Sequence, residues 1–407
     1  MYLDCSIYLK IACTLWCVTV FIDRCDVAVD KINAKSNGST NRAIQSSREQ
    51  YCLCRTQVLG MIEVWPDSYE VVDCLPLLVL GAVSMIKLVC AVYTLPEITI
   101  LLTKMQDYCL SLKSNEETNI LHSYALYGRN LGYAYMGILF SHTVVFVFAT
   151  LLTKLLDTGS SNNNSSSITH ETQVGLFYHV NYIVDVETYY VPIFIHSATC
   201  VVFYTLLMIT FDVLYLTLVQ HCCGLFQALR YRLEYATKLE NENGDLILVS
   251  GQDKIHSNIL YSIRRHAEAI KFVTIMEAIY RIPLFVHVGA NISILSILGF
   301  QVITNTENIN RVLKYASYLS ALLVNTFFEN WQGQKIIDSS EKVFESAYNA
   351  EWYKMSPEQR KFLIMIMMKS KKPLQIIAGN LVALSYVNFN AVIRTSSSYF
   401  MLLRSIQ

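Results

Sequence analysis

Residues 374–403 read LQIIAGNLVALSYVNFNAVIRTSSSYFMLL: thirty residues with one charge, Arg394, and four more residues after them. About 20 apolar residues cross a bilayer, so this stretch is long enough to span with residues to spare. Its second half is not uniformly apolar. Thr395, Ser396, Ser397 and Ser398 follow Arg394, and Leu402 and Ile406 stand four apart on one helical face. A helix that meets only lipid gains nothing from hydroxyls, whereas one that meets water or other helices uses them. Two readings stand at this point. One is a helix packed among the chain's own helices. The other is a pore-lining helix with an apolar constriction at its outer end, of the kind that gates by dewetting.

The rest of the chain has the same character. Of 407 residues, 53% are hydrophobic and 16% charged, against about 25% charged in ordinary soluble chains. Mean hydropathy is +0.35. The net charge is zero, which gives nucleic acid no electrostatic footprint. Twelve cysteines fall without paired CxxC units or Cys/His ligand spacing, so no zinc motif is present. No nucleophile elbow, HExxH or phosphate loop suggests an enzyme. The composition predicts an all-α, polytopic membrane bundle.

Working back from the C-terminus, spans are expected at 312–328, 282–303, 190–211, 131–152 and 71–102, the last with Lys87 inside it. An intramembrane lysine faces a cavity or a partner, or snorkels to an interface. Residues 6–22 form a shorter apolar run broken by Lys10, readable as a signal core or as a span. The segments 219–271 and 329–373 are rich in Lys and Arg, whereas 153–189 and 304–310 hold only Lys154. By the positive-inside rule the basic pair is cytoplasmic and the other two extracellular. The last helix then runs outward. Sequons at Asn163 and Asn164 fall in an extracellular loop. Residues 219–240 continue the preceding helix, and Ser356-Pro357-Glu358-Gln359 is a capping box opening a helix over 357–370. That helix's apolar residues, Phe362, Leu363, Met365, Ile366 and Met367, need burial.

Several of these stretches resemble insect odorant receptors. HCCGLFQALRYRLE at 221–234, NWQGQKI at 330–336, SEKVFESAYNAEWY at 340–353 and the terminal KSKKPLQIIAGN to TSSSYFMLL segment carry the likeness. Tyr182-Ile183-Val184-Asp185 adds to it. The resemblance implies a seven-helix bundle with a cytoplasmic N-terminus and an extracellular C-terminus. It further implies an odorant-binding tuning subunit of a ligand-gated, non-selective cation channel, a hetero-tetramer with the odorant receptor co-receptor. The expected site is the plasma membrane, on the dendrite of an olfactory sensory neuron, and the ligand a small volatile apolar molecule.

Three regions follow: an atypical 1–70, a ligand-binding bundle over 71–330, and cytoplasmic anchor helices with the pore helix over 331–407. The family's first helix has no clear counterpart after Val64-Trp65-Pro66, and placing 23–70 outside would set six basic residues against the charge rule. The sequence is therefore read as a truncated or mis-spliced product. The resemblance puts the ligand among outer-half residues His142, Phe146, Phe148, Tyr189, Tyr190, Phe194, His196, Tyr315 and Tyr318. It puts the pore and gate at Thr395, Ser398, Tyr399, Leu402 and Ile406. A gustatory-type channel and a G-protein-coupled receptor are the alternatives, the latter without an Asn-Pro-x-x-Tyr near the end.

Overall fold

A computed structural model describes residues 68–111, 115–160, 177, 188–235, 238–240, 246–248, 252–306 and 309–406. Residues 6–22, Val64-Trp65-Pro66, the Tyr182–Asp185 motif and both sequons of the long outer loop lie outside them. The described helices are α1 (Ser68–Tyr93), α2 (Leu95–Leu110), α3 (Asn115–Ser160), α4 (Tyr190–Glu234), α5 (Gln252–Thr304), α6 (Ile309–Asn349), α7 (Pro357–Ser370) and α8 (Tyr386–Ile406). Two short antiparallel pairs complete them: β1 (Lys238–Glu240) with β2 (Leu246–Leu248), and β3 (Ile377–Ala378) with β4 (Val382–Ala383).

Helix length decides the layout. At 1.5 Å per residue a 45-residue helix is about 68 Å long, roughly twice a bilayer's hydrocarbon core. Helices α3 to α6 have 46, 45, 53 and 41 residues, so each continues well past one bilayer face. Four helices hold windows long and apolar enough to cross a membrane, in α1, α3, α4 and α5. Helices α6 and α8, also expected to span, are more polar, through the run from Asn325 to Gln334 and through Arg394 with its hydroxyls.

The largest core forms around the second half of α4. Leu218, Val219, Cys222, Leu225, Phe226 and Leu229 pack there with Phe272, Met276 and Tyr280 of α5 and Ile336 and Val343 of α6. The basic segment 219–271 is thus mostly helix. Helix α7 opens as expected: Ser356 Oγ accepts from the Gln359 amide at 3.4 Å, and Gln359 Oε1 accepts from the Ser356 amide at 2.9 Å. It buries Leu363 and Ile366, while Met365 is exposed.

Two expected spans are corrected. The run 71–102 is divided between α1 and α2, because Pro96 enters a new first turn and α2 continues to Leu110. The terminal run is not a thirty-residue helix. Gly379 and Asn380 take the left-handed backbone, at φ 58° and 61°, and turn the chain between β3 and β4 with the Leu381 amide bonded to Ala378 O at 3.0 Å. The hairpin is pinned on α5 by the Gly379 amide donating to Arg281 O at 3.0 Å. Only then does α8 begin. Its 21 residues span about 32 Å, close to the thickness of the hydrocarbon core. Asn330 of α6 docks its start, with Oδ1 accepting from the Ser385 amide at 3.3 Å and from Asn388 Nδ2 at 2.8 Å.

Inside the bundle lies an ion cluster that span-finding alone does not reveal. Lys87 of α1, 2% exposed, donates to Asp212 Oδ1 of α4 at 2.9 Å and to Glu329 Oε1 of α6 at 3.3 Å. His287 Nδ1 of α5 is 2.6 Å from the same glutamate oxygen. Tyr135 of α3 and Asn325 of α6 donate to Asp212 Oδ2 at 2.8 and 2.7 Å. A charge taken out of water is tolerated when paired and hydrogen-bonded, and here five helices converge to pair it. The expected spans 190–211 and 312–328 each stop one residue short of its acids. Asp212, His287 and Glu329 also have the mutual spacing of metal ligands, but the Lys87 ammonium already supplies positive charge to both carboxylates.

Lys87→Met should lose about 3–5 kcal/mol by stranding two buried carboxylates, read as a lower thermal midpoint in detergent and less chain at the cell surface. Adding Asp212→Asn and Glu329→Gln should recover much of that loss. A Cβ at Gly333 would fall on the Leu384 carbonyl and Cβ. Gly333→Ala should therefore cost about 1–3 kcal/mol in the same assay, by lifting the hairpin off α6.

Candidate functional site

Next to the ion cluster, α1, α3, α4, α5 and α6 line a cavity of about 90 Å³. Leu77, Leu80 and Val83 of α1, Leu139 and Phe146 of α3, Val201 and Met208 of α4, Ile294 of α5 and Leu322 of α6 make it chiefly apolar. Thr143, Thr205 and Ser317 add hydroxyls, and His287, Asn291 and Asn325 add stronger polar groups. Pockets for drug-sized molecules run to several hundred Å³, so this space suits something smaller.

Of the expected ligand residues, His142, Phe146 and Tyr318 line the cavity. The His142 ring nitrogen Nδ1 is 3.3 Å from Ser320 Oγ. Tyr190 and Phe194 do not line it, but belong to an aromatic chain that reaches it at Phe146 and Tyr318. Tyr190 stacks on Phe194 at 6.0 Å, Phe194 on Phe177 at 5.1 Å, Phe177 on Phe146 at 5.7 Å, and Phe146 meets Tyr318 edge-on at 5.9 Å. Tyr315 is buried away from the cavity with its phenol donating to Asp73.

Three expected residues lie outside the cavity. Phe148 and Tyr189 are 60% and 51% exposed, and His196 is exposed. Phe148 and His196 each stand two residues beyond an inward aromatic, Phe146 and Phe194. A helix turns about 200° in two residues, so they face out. Tyr189 precedes the first turn of α4.

Sequence reasoning missed His287, Asn291 and Asn325. The signal was present: polar residues of α5 and α6 at a depth where lipid would leave them unsatisfied.

Helix α8 is covered on one side. Val392 and Ser396 are buried against α5, where Ser296 Oγ donates to Ser396 O at 3.1 Å. Across the helix, Ser398 is exposed, and Met401 and Leu402 are 57% and 54% exposed, while Tyr399, on the flank next to Val392, is 53% exposed. Thr395 is half-buried between the two faces. The Ile406 side chain lies outside the described residues.

A second cavity, of about 540 Å³, opens between α2 and α5 at the basic end, beside Lys104, Tyr108, Arg264, Arg265 and Lys271. Burial pushes the Tyr108 phenol well above its usual value, so Arg265 stacks on it, 4.2 Å from the ring centroid, as a neutral ring.

The fold has solved counterparts. The structure of the insect olfactory receptor OR5 from Machilis hrabei in complex with eugenol superposes with a TM-score of 0.66 at 14% identity, covering 92% of this chain and 93% of that one. Odorant receptor 67c of Drosophila melanogaster is 26% identical over 195 residues, 48% of this chain and 45% of that protein. The odorant receptor coreceptor of Harpegnathos saltator is 26% identical over 153 residues, 37% of this chain and 31% of that protein. The matched segments span under half the length of these curated relatives. The family model described as 7tm Odorant receptor matches residues 68–397. This chain belongs to the odorant receptor family, a family of multi-pass helical membrane proteins.

Proposed function

We propose that the chain is the odorant-binding, tuning subunit of a ligand-gated, non-selective cation channel. It assembles as a hetero-tetramer with the odorant receptor co-receptor in the plasma membrane of olfactory neurons, with basic segments inside and the end of α8 outside. The observation that carries the reading is α8 itself, a membrane-length helix docked on one side and bare on the other. Its bare side carries Ser398, Met401 and Leu402, with Tyr399 on its flank, a face that lines a pore once subunits close around it. Its odorant-receptor membership and its likeness to co-receptors support the partnership and count against a rhodopsin-like receptor. The largely apolar cavity between the helices supports a small ligand, which opens the channel only by binding the open state more tightly than the closed one.

Leu402 then forms part of the gate. Leu402→Ser should raise the resting cation current several-fold in cells that co-express the co-receptor, because a polar ring no longer dewets the constriction. An unchanged resting current in channels that reach the surface would count against a gate there. The orientation has its own test. Asn163 or Asn164 should be glycosylated in a secretory expression system, seen as a gel shift reversed by glycosidase. A cytoplasmic location for that loop, mapped by inserted tags, would reverse the topology.

A further inference from the structure

We infer that the cavity selects small apolar molecules bearing a hydroxyl group, an alcohol or a phenol, through a pair of amide-oxygen acceptors at its polar end. The inference rests on the reading of this cavity as the odorant site. His287, Asn291 and Asn325 line it while being 1%, 1% and 6% exposed. Each has one end committed to the protein. For the two asparagines the other end, Asn291 Oδ1 or Asn325 Oδ1, has no partner among the described residues. An unsatisfied buried polar atom is costly, so a ligand that satisfies these atoms recovers that cost.

The committed ends fix the chemistry of the free ones. Asn291 Nδ2 lies 3.0 Å from Thr326 Oγ1, whose own hydrogen goes to Leu322 O at 2.8 Å. Thr326 can only accept here, so the Asn291 amide presents its oxygen elsewhere. Asn325 Nδ2 lies 2.7 Å from Asp212 Oδ2 and 2.6 Å from the Tyr135 oxygen. The tyrosine hydrogen is given to the same aspartate at 2.8 Å. Both neighbours again require the NH₂ group, leaving Oδ1 free as an acceptor. His287 Nδ1 faces the Glu329 carboxylate at 2.6 Å. That contact holds the ring in the ion cluster.

Two amide-oxygen acceptors therefore stand at the polar end of a mostly apolar space, in which the hydroxyls of Thr143, Thr205 and Ser317 already donate to carbonyls of their own helices. A hydroxyl donates into such a site, whereas an ether, ester or hydrocarbon has no hydrogen to give. An ammonium has hydrogens, but its charge is expensive to desolvate against apolar walls.

The test uses the full chain with the co-receptor in cells, recording cation current against shape-matched probes: benzyl alcohol with ethylbenzene, cyclohexanol with methylcyclohexane, phenol with toluene, and benzylamine. The hydroxyl member of each active pair should half-activate at a concentration about tenfold below its hydrocarbon partner, the size of one good hydrogen bond. Asn291→Leu keeps the volume and leaves Thr326 still bonded to Leu322, so it should fold and bring the pair within about threefold. Equal or better activation by hydrocarbons or benzylamine, or an unchanged ratio in Asn291→Leu, would overturn hydroxyl selection while leaving the odorant site standing. Silence towards every probe from a surface-expressed channel would overturn both.

Discussion

A single ammonium group organises this bundle. Lys87 is buried at a depth where water cannot solvate it, and an isolated charge there is unaffordable without a compensating partner. Its carboxylates come from α4 and α6, its histidine neighbour from α5, and the donors that complete Asp212 from α3 and α6. Helices in lipid have no hydrophobic effect to hold them together, so packing and such polar contacts set how they pair. Meeting at one point, these contacts specify the rotation of each helix about its own axis and its depth relative to the others. A rotation of one residue in α4 would turn Asp212 by about 100° and strand the lysine.

The cavity follows from that constraint. Its polar end is the same cluster, since His287 and Asn325 belong to both. The aromatic chain from Tyr190 reaches it at Phe146 and Tyr318. The helices that line it are also those that hold α8. Helix α5 offers His287 and Asn291 to the cavity and, little more than one turn later, Ser296 to the Ser396 carbonyl. Helix α6 offers Asn325 to the cavity and Asn330 to the first turn of α8. A ligand that displaces either helix thus acts on α8 through direct contact, with no intervening element to absorb the motion.

Much of this was legible in the sequence, and the failures have a common cause. Hydropathy locates α1, α3, α4 and α5, and the Ser356–Gln359 box locates the start of α7 to the residue. Lys87 announced that a partner existed. What hid Asp212 and Glu329 was the practice of ending a span at its first charge, since both lie just beyond apolar runs that really continue as helix. Periodicity also gives helices without saying which face is inward. Phe146 and Phe148 look equivalent as letters, and only packing separates a buried ring from one in lipid. The break before α8 was visible as Gly379-Asn380, a pair suited to left-handed backbone, but uniform hydropathy through 374–384 outvoted it.

The hydroxyl cluster of α8 shows why composition cannot by itself identify a pore. Ser396, Ser397 and Ser398 each donate to the carbonyl four residues back, at 2.8, 2.9 and 3.0 Å. A hydroxyl bonded in this way is satisfied by its own helix and needs neither water nor a neighbour. The same three letters would therefore serve in a packed helix, a lipid-facing helix or a channel wall. What distinguishes them is coverage: Ser396 is sealed against α5, while Ser397 and Ser398 open on a side that no described residue covers. The weight of the pore reading rests on that asymmetry between faces, and the serines contribute to it by their position around the helix and not by their chemistry.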